Sequence, residues 1–232
     1  MELDPQTQAN IVEALKRPEA FSHPSGDLQH LQTHISHVLL AGDFAYKIKK
    51  PLDLGFLDFS TLERRKHCCE EELRLHRRMA ESVYLEVLPI TGTPDQPVLG
   101  GEGGGEGEPL DYAVRMRRFP QEALLSGREV TPELIDRIAE RAARFHGEIP
   151  AAPAESDFGT PETVFFPMQQ NFDQIRGLVS DTTELARLDP LEAWTRAAYE
   201  RLTPLLQKRK AEGHIRECHG DMHLGNIALV DG

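Results

Sequence analysis

The stretch that most constrains this chain is the segment from Cys218 to Asn226, which reads CHGDMHLGN. Its two glycines and alternating polar residues exclude a stable helix, because glycine weakens helices and short polar side chains favour turns. The apolar run at 227–230 follows at once and favours a strand. The sequence therefore predicts a loop that leads into a short strand.

The spacing within this loop indicates phosphoryl transfer. In the kinase pattern H-R-D-x-x-x-x-N, the Asp accepts the proton of the attacking hydroxyl and the Asn holds Mg²⁺. Asp221 and Asn226 also have four residues between them, and His219 takes the leading position. The string His-Gly-Asp-x-His-x-x-Asn resembles the catalytic loop of the aminoglycoside phosphotransferase and choline kinase group. The resemblance implies that Asp221 is the catalytic base, that Asn226 is a Mg²⁺ ligand and that His219 orients the loop.

A lysine on a strand is the second feature that a kinase requires, because it holds the nucleotide phosphates. The sequence predicts a turn at 41–43 and then a strand over 44–49, in which Lys47 and Lys49 share one face. Lys49 lies closer to Pro51, at the end of the strand where fraying is expected. Lys47 is therefore the predicted phosphate ligand, although a solvated strand end would also explain such a cluster of lysines.

An acidic helix follows this strand. Ser60 and Glu63 fit a capping box, which predicts a helix from Ser60 to about Met79 with an apolar face. In a kinase, one glutamate of this helix pairs with the strand lysine. Glu71 and Glu72 flank the apolar face almost symmetrically, so the sequence leaves both as partners of Lys47.

Three further stretches bear on nucleotide contacts. The segments at 33–36 and around Met116 are candidates, and the glycine-rich run at 100–107 is not. The segment 33–36, which ends at Ser36, lies between the first strands and is the candidate for a phosphate-covering turn. The glycine-rich run at 100–107 lacks the P-loop pattern and contains two glutamates that would repel phosphate, which favours a flexible hairpin connection. In the resemblance, the segment around Met116 is the hinge whose backbone holds adenine.

The remaining sequence predicts helices. Thr131, Pro132 and Glu133 form a strong helix start, and a long connection is expected over 148–165. Another helix is expected to begin near Asp189 and to be kinked or divided by Pro204.

Composition adds weak constraints. The net charge of −12 argues against nucleic-acid binding that depends on neutralising phosphates with basic residues. No apolar run approaches the ~20 residues of a membrane-spanning helix, and the N-terminus lacks the layout of a signal peptide. Three cysteines do not make a disulfide framework. A cytoplasmic protein that binds neither nucleic acid nor membrane is the simplest interpretation.

Together these stretches resemble the aminoglycoside phosphotransferase-like kinases. The resemblance implies an α+β, two-lobed protein kinase-like fold, with an N-terminal lobe at 1–118 and a helical lobe at 119–232. It also implies ATP and Mg²⁺ as cofactors and a hydroxyl of a small molecule as the phosphate acceptor. The stretches 33–36 and 46–51 are similar to a bacterial branch in which this domain precedes a P-loop ATP-binding domain.

The resemblance further implies a second metal-holding Asp roughly a dozen residues after the loop Asn. Asp231 comes too early for that role and favours a tight turn with Gly232, so the C-terminal lobe is expected to be truncated and poorly active alone.

Two alternatives come from other functional classes. One is a metal-dependent phosphoesterase that uses His219, Asp221 and His223 as ligands. The other is a regulatory module that binds nucleotide without turnover.

Overall fold

The computed structural model describes residues 3–100 and 107–230. Most of the predicted glycine-rich connection lies outside the described residues, as does the turn predicted at Asp231 and Gly232. The chain divides into two compact units, one of residues up to Val130 together with those from Asp221 on, and one of Thr131–Gly220. The predicted lobe boundaries, 1–118 and 119–232, stay a prediction.

An antiparallel sheet is the framework of the first unit. In the described residues it has the strand order β1-β2-β3-β6-β4-β5. Its strands are β1 (Gln29–Gln32), β2 (Ser36–Ala41), β3 (Phe44–Lys49), β4 (Tyr84–Thr93), β5 (Gln96–Leu99) and β6 (Asp111–Arg117). The predicted strand over 44–49 is confirmed as β3, which pairs with β2 on one side and β6 on the other.

The turn predicted at 41–43 is confirmed between β2 and β3, and it depends on a glycine. Gly42 has a φ of +55°, a conformation that glycine adopts without strain. A Cβ atom at this position would also lie 2.5 Å from the carbonyl oxygen of Pro24. Any larger residue would therefore push the two segments apart.

Helix α1 (Pro5–Ala14) completes the apolar core on the sheet. Ile11 and Val12 of the helix and the following Leu15 are almost fully buried, in one cluster with Leu39 and Ile48 of the sheet. Burying each such side chain contributes about 1.5–3 kcal/mol. Hydrophobic packing thus holds the N-terminal helix on the sheet, with the buried Gln8 as its one buried polar residue among those described.

Helix α2 (Leu62–Ala80) packs differently, and it corrects two expectations. Its N-cap is Thr61 rather than Ser60, because the Ser60 hydroxyl donates instead to Asp58 at 2.6 Å. The residues that it buries are Arg65, Cys69 and Glu72. Of the apolar face predicted along Leu62, Cys68 or Cys69, Leu75 and Met79, only Cys69 is buried, and the others are half-buried. Charged groups therefore dock this helix on the sheet.

The second unit consists of α3 (Pro132–Glu148), α4 (Pro161–Leu178) and α5 (Thr182–Ala211) in the described residues. Thr131 caps α3 as predicted. The predicted start of the last helix near Asp189 is wrong, because Asp181 caps α5 eight residues earlier and Pro190 lies inside the helix. The connection also ends sooner than expected, since Thr160 caps α4.

Two expectations drawn from composition concern disulfide bonds and membrane-spanning helices. Cys68, Cys69 and Cys218 are all free thiols. In the described ranges, the helices include none with the length and apolar character needed to cross a membrane.

Candidate active site

A charged cluster of two lysines and one glutamate lies between β3 and α2. The Lys47 ammonium lies 2.8 Å from Glu72 Oε1, and the Lys49 ammonium lies 2.5 Å from Glu72 Oε2. Both lysines reach the same carboxylate because residues two apart on a strand point to the same face. Since each lysine occupies one oxygen, the Glu72 carboxylate is held from both sides.

Burial and charge together determine the state of this cluster. Only 7% of the Glu72 and Lys49 side chains is exposed, whereas Lys47 keeps 29%. Burial alone would raise the pKa of Glu72, but the charges of Lys47 and Lys49 and their hydrogen bonds lower that pKa to about 2. Two ammonium groups against one carboxylate leave one surplus positive charge, which suits a phosphate group.

The Glu71 side chain does not face the two lysines of β3. Its carboxylate pairs with Arg74 at 2.7 Å on an exposed part of α2. Adjacent residues on a helix are rotated by about 100°, so only one of the two glutamates can face β3. Of the two partners that the sequence left open for Lys47, the structure brings Glu72 to it.

Lys49 overturns one argument made from the sequence. It was expected at a frayed strand end, but it pairs with Ser36 of β2, and its carbonyl accepts a hydrogen bond from Gln8 at 2.7 Å. Its ammonium also lies 4.9 Å from the centre of the buried Phe59 ring. Lys47 therefore differs from Lys49 by its exposure and not by a firmer place in the strand.

The predicted phosphate-covering turn at 33–36 uses its backbone N–H groups for hydrogen bonds within the turn. The Thr33 hydroxyl accepts the backbone N–H groups of Ile35 at 3.3 Å and Ser36 at 3.0 Å, which a phosphate would otherwise use. Ser36 is fully buried, and its hydroxyl has no hydrogen-bond partner in the described residues. The nucleotide contact of Ser36 stays a prediction, and in this conformation its hydroxyl is not accessible to a ligand.

Met116 lies inside the sheet. It pairs with Ala45 of β3 and with Tyr84 of β4, so strands occupy both sides of β6 at this point. The next two residues continue the pairing, since Arg118 N–H donates to the Asp43 carbonyl at 2.8 Å. The adenine contact of Met116 stays a prediction.

The loop from Asp221 to Asn226 is held by short-range hydrogen bonds. The Asn226 side-chain amide donates to the Asp221 carboxylate at 2.9 Å and to the Asp221 carbonyl at 3.0 Å. Gly225 N–H donates to His223 Nδ1 at 3.1 Å, and His223 Nε2 lies 3.8 Å from the Asp221 carboxylate. The predicted base and the predicted metal ligand are therefore in direct contact, while 73% of the Asp221 side chain is exposed.

The segment after the loop is anchored in the first unit. Leu125 N–H donates to the Ile227 carbonyl at 2.9 Å, and Leu229 N–H donates to the Ala123 carbonyl at 2.9 Å. The predicted strand is reduced to an isolated bridge between Leu124 and Ala228. Short 3₁₀ turns on either side of Leu124 interrupt its partner segment, so a longer ladder cannot form there.

His219 precedes Gly220, whose φ of +79° is the left-handed conformation that favours glycine. His219 belongs to the second unit and Asp221 to the first, so the predicted orienting role of His219 stays a prediction. Across residues 3–100 and 107–230, no three or more His, Cys, Asp or Glu side chains are grouped so that they could hold a metal ion. The phosphoesterase alternative therefore has no preassembled set of three ligands in those ranges.

Comparison with known proteins decides the family. The family model described as "Phosphotransferase enzyme family" matches residues 59–232, which include α2, Glu72 and the whole loop. The chain belongs to the phosphotransferase enzyme family. Membership confirms the predicted kinase-like, mixed helix-and-sheet fold. The narrower resemblance to the branch with a P-loop domain stays a prediction.

The relatives of this phosphotransferase-family chain are described as uncharacterized, so they point to no specific activity. It is 30% identical over 219 residues to uncharacterized proteins of Mycobacterium bovis and of two Mycobacterium tuberculosis strains. The matches cover 91% of this chain but 41% of each relative, so the chain spans about two fifths of their length. No solved structure matches the chain.

Sequence reasoning missed a second polar contact that orients α2 in this family member. Arg65 Nε donates to Asp111 at 2.8 Å, and both side chains are fully buried. Gln8 of α1 donates to the same carboxylate at 2.5 Å. A signal was present, because Arg65 lies seven residues before Glu72 and two helical turns bring both to one face.

Proposed function

We propose that this phosphotransferase-family chain transfers the γ-phosphoryl group of ATP to a hydroxyl of a small molecule. The observation that carries the proposal is the direct hydrogen bond between Asn226 and Asp221, at the spacing of a kinase catalytic loop. The Lys47–Glu72 pair supports it independently, because it supplies an accessible cation for phosphate.

Asp221 is the proposed base. A general base must come within hydrogen-bond distance of the proton that it accepts, and the exposed Asp221 carboxylate can be reached by a substrate hydroxyl. The hydrogen bond from Asn226 fixes the direction of the carboxylate. His219, next to the loop glycine, is proposed to keep the loop in this shape.

Asn226 is the proposed ligand of Mg²⁺. Its amide nitrogen donates to Asp221, which leaves the side-chain oxygen as the group suited to a hard cation such as Mg²⁺, since such cations prefer oxygen ligands. Bound Mg·ATP would supply the transferable phosphoryl group. Lys47 would neutralise the phosphate oxygens, while Glu72 sets the direction of its side chain.

The acceptor and the partners of the chain remain open proposals. The net charge of −12 fits a cationic small molecule, and a hydroxyl acceptor fits the role of Asp221. A P-loop ATP-binding domain is proposed as the companion of this domain in longer members of the family.

The experiment that tests the proposal is a screen of hydroxyl compounds, including aminoglycosides and aminoalcohols, for acceptor-dependent consumption of ATP. The protein should be tested as this chain and within a full-length relative, with Asp221→Asn as the matched control. Acceptor-dependent consumption that disappears in the control is expected. ATP binding without consumption in either protein would favour the regulatory module instead.

A further inference from the structure

Lys49 contacts Glu72 in addition to Lys47, although one lysine is enough to form an ion pair with a glutamate. Glu72 already has Lys47 on one oxygen, and Lys49 occupies the other. The two lysines differ sharply in exposure, with 29% of Lys47 but only 7% of Lys49 exposed. A ligand arriving from solvent can therefore contact Lys47 and not Lys49.

Lys49 is also held more firmly. Its carbonyl accepts the amide of Gln8 at 2.7 Å, and its ammonium lies over the ring of the buried Phe59. A strand position tied at its backbone and covered by an aromatic ring leaves the ammonium little freedom to leave Glu72. Lys49 is thus a fixed partner of Glu72, and Lys47 is a removable one.

The charges show why a second partner matters. If Glu72 had Lys47 alone, a phosphate that drew Lys47 away would leave a buried carboxylate without a counter-charge, which is strongly unfavourable. With Lys49 in place, Glu72 stays compensated when Lys47 turns to a phosphate. The surplus positive charge of the cluster is then available to the ligand.

We propose that Lys49 is a positioning residue that keeps Glu72 compensated, so that Lys47 is free to contact the nucleotide phosphates. This inference rests on the proposed function, because it assumes that Lys47 binds a phosphate of ATP. It assigns Lys49 no contact with the ligand.

The test compares two matched variants, Lys47→Met and Lys49→Met. Each leaves one lysine on Glu72 and so a balanced ion pair, and circular dichroism should show that both fold. Equilibrium binding of Mg·ATP should weaken in both, most in Lys47→Met and by roughly tenfold in Lys49→Met, because Lys47 is then retained by Glu72. Lys49→Arg, which keeps the charge, should restore binding to near the wild-type value.

A double-variant cycle separates this role from general structural support. In a Glu72→Gln background there is no carboxylate to compensate, so adding Lys49→Met should change Mg·ATP affinity by less than about twofold. A tenfold loss that persists in that background would overturn the proposal, as would Lys49→Met binding as tightly as the wild type.

A second measurement on the wild-type protein needs no variant. Labelling with an amine-reactive acetylating reagent should modify Lys47, and Mg·ATP should protect it, while Lys49 stays unmodified in both states. Labelling of Lys49 that Mg·ATP prevents would show direct contact and overturn the proposal. If the wild type binds no Mg·ATP and Lys47 is not protected, the proposed function fails rather than the role of Lys49.

Discussion

The two halves of the proposed site are built in opposite ways. The Lys47–Glu72–Lys49 cluster joins residues more than twenty positions apart and is largely buried. The loop from Asp221 to Asn226 is exposed, and its own hydrogen bonds join residues at most five positions apart. The cluster therefore depends on the fold, whereas the shape of the loop is largely local. Changes in the cluster should therefore affect stability and nucleotide binding, and changes in the loop should affect turnover far more than stability.

The largest expected effect is on turnover at the loop. Asp221→Asn keeps the shape of the side chain but removes the base, so we expect turnover to fall by roughly 10²–10⁴-fold. Steady-state rates with an acceptor identified in the screen would measure this. Turnover within twofold of the wild type would remove Asp221 from the mechanism.

The largest expected effect on stability is in the cluster. Glu72→Gln leaves the buried Lys49 and the half-buried Lys47 without a counter-charge, so unfolding should become easier by about 3–5 kcal/mol. Glu71→Gln is the matched control, since it removes only an exposed pair with Arg74 and should cost less than about 1 kcal/mol. Urea unfolding would compare them, and equal losses would contradict the contrast drawn between the two glutamates.

The contribution of Glu72 to stability should also depend on pH. Because the pKa of Glu72 falls from 4.5 to about 2 on folding, its contribution is present above pH 4.5 and is lost as the pH falls toward 2. The linked free energy is of the order of 3 kcal/mol. The difference in urea midpoint between wild type and Glu72→Gln should therefore shrink over that interval. A difference that stays constant down to pH 2 would argue against a depressed pKa.

The smallest expected effect on stability is in the loop. Asn226→Ala removes one exposed hydrogen-bonded side chain, so unfolding should change by no more than about 1 kcal/mol. Turnover should nevertheless drop, because the Asp221 carboxylate loses its partner and the metal loses a ligand. A destabilisation as large as that of Glu72→Gln would mean that the loop is part of the folded core.

Local patterns made the elements of the fold predictable. The strand over 44–49 and the Thr131 cap depend on neighbours in the sequence, and the structure agrees with both. The start of α5 was missed because Pro190 looks like a first-turn proline, although the Asp181 cap lies a full two turns earlier. Likewise Ser60 was preferred to Thr61 because the competing contact with Asp58 is not visible in a capping pattern.

In the candidate site too, features set by neighbouring residues were easier to predict from the sequence than features set by distant residues. The spacing of Asp221 and Asn226 could be recognised because both lie in one short segment, although their hydrogen bond was not predicted. The choice of Glu72 over Glu71 and the burial of Lys49 could not, because both depend on how far α2 is rotated over the sheet. That rotation is fixed by the buried contacts of Arg65 with Asp111, which lie 46 positions apart in the sequence.

The most direct test of the whole account is equilibrium binding of Mg·ATP to the wild type, Lys47→Ala and Asp221→Asn. If the buried cluster holds the nucleotide and the loop supplies the chemistry, Lys47→Ala should weaken binding by roughly 10–100-fold, the value of a charge-assisted hydrogen bond. Asp221→Asn should bind within about threefold of the wild type, because the base acts in the transition state. Unchanged binding in Lys47→Ala, or no binding of Mg·ATP by the wild type either as this chain or within a full-length relative, would contradict the account.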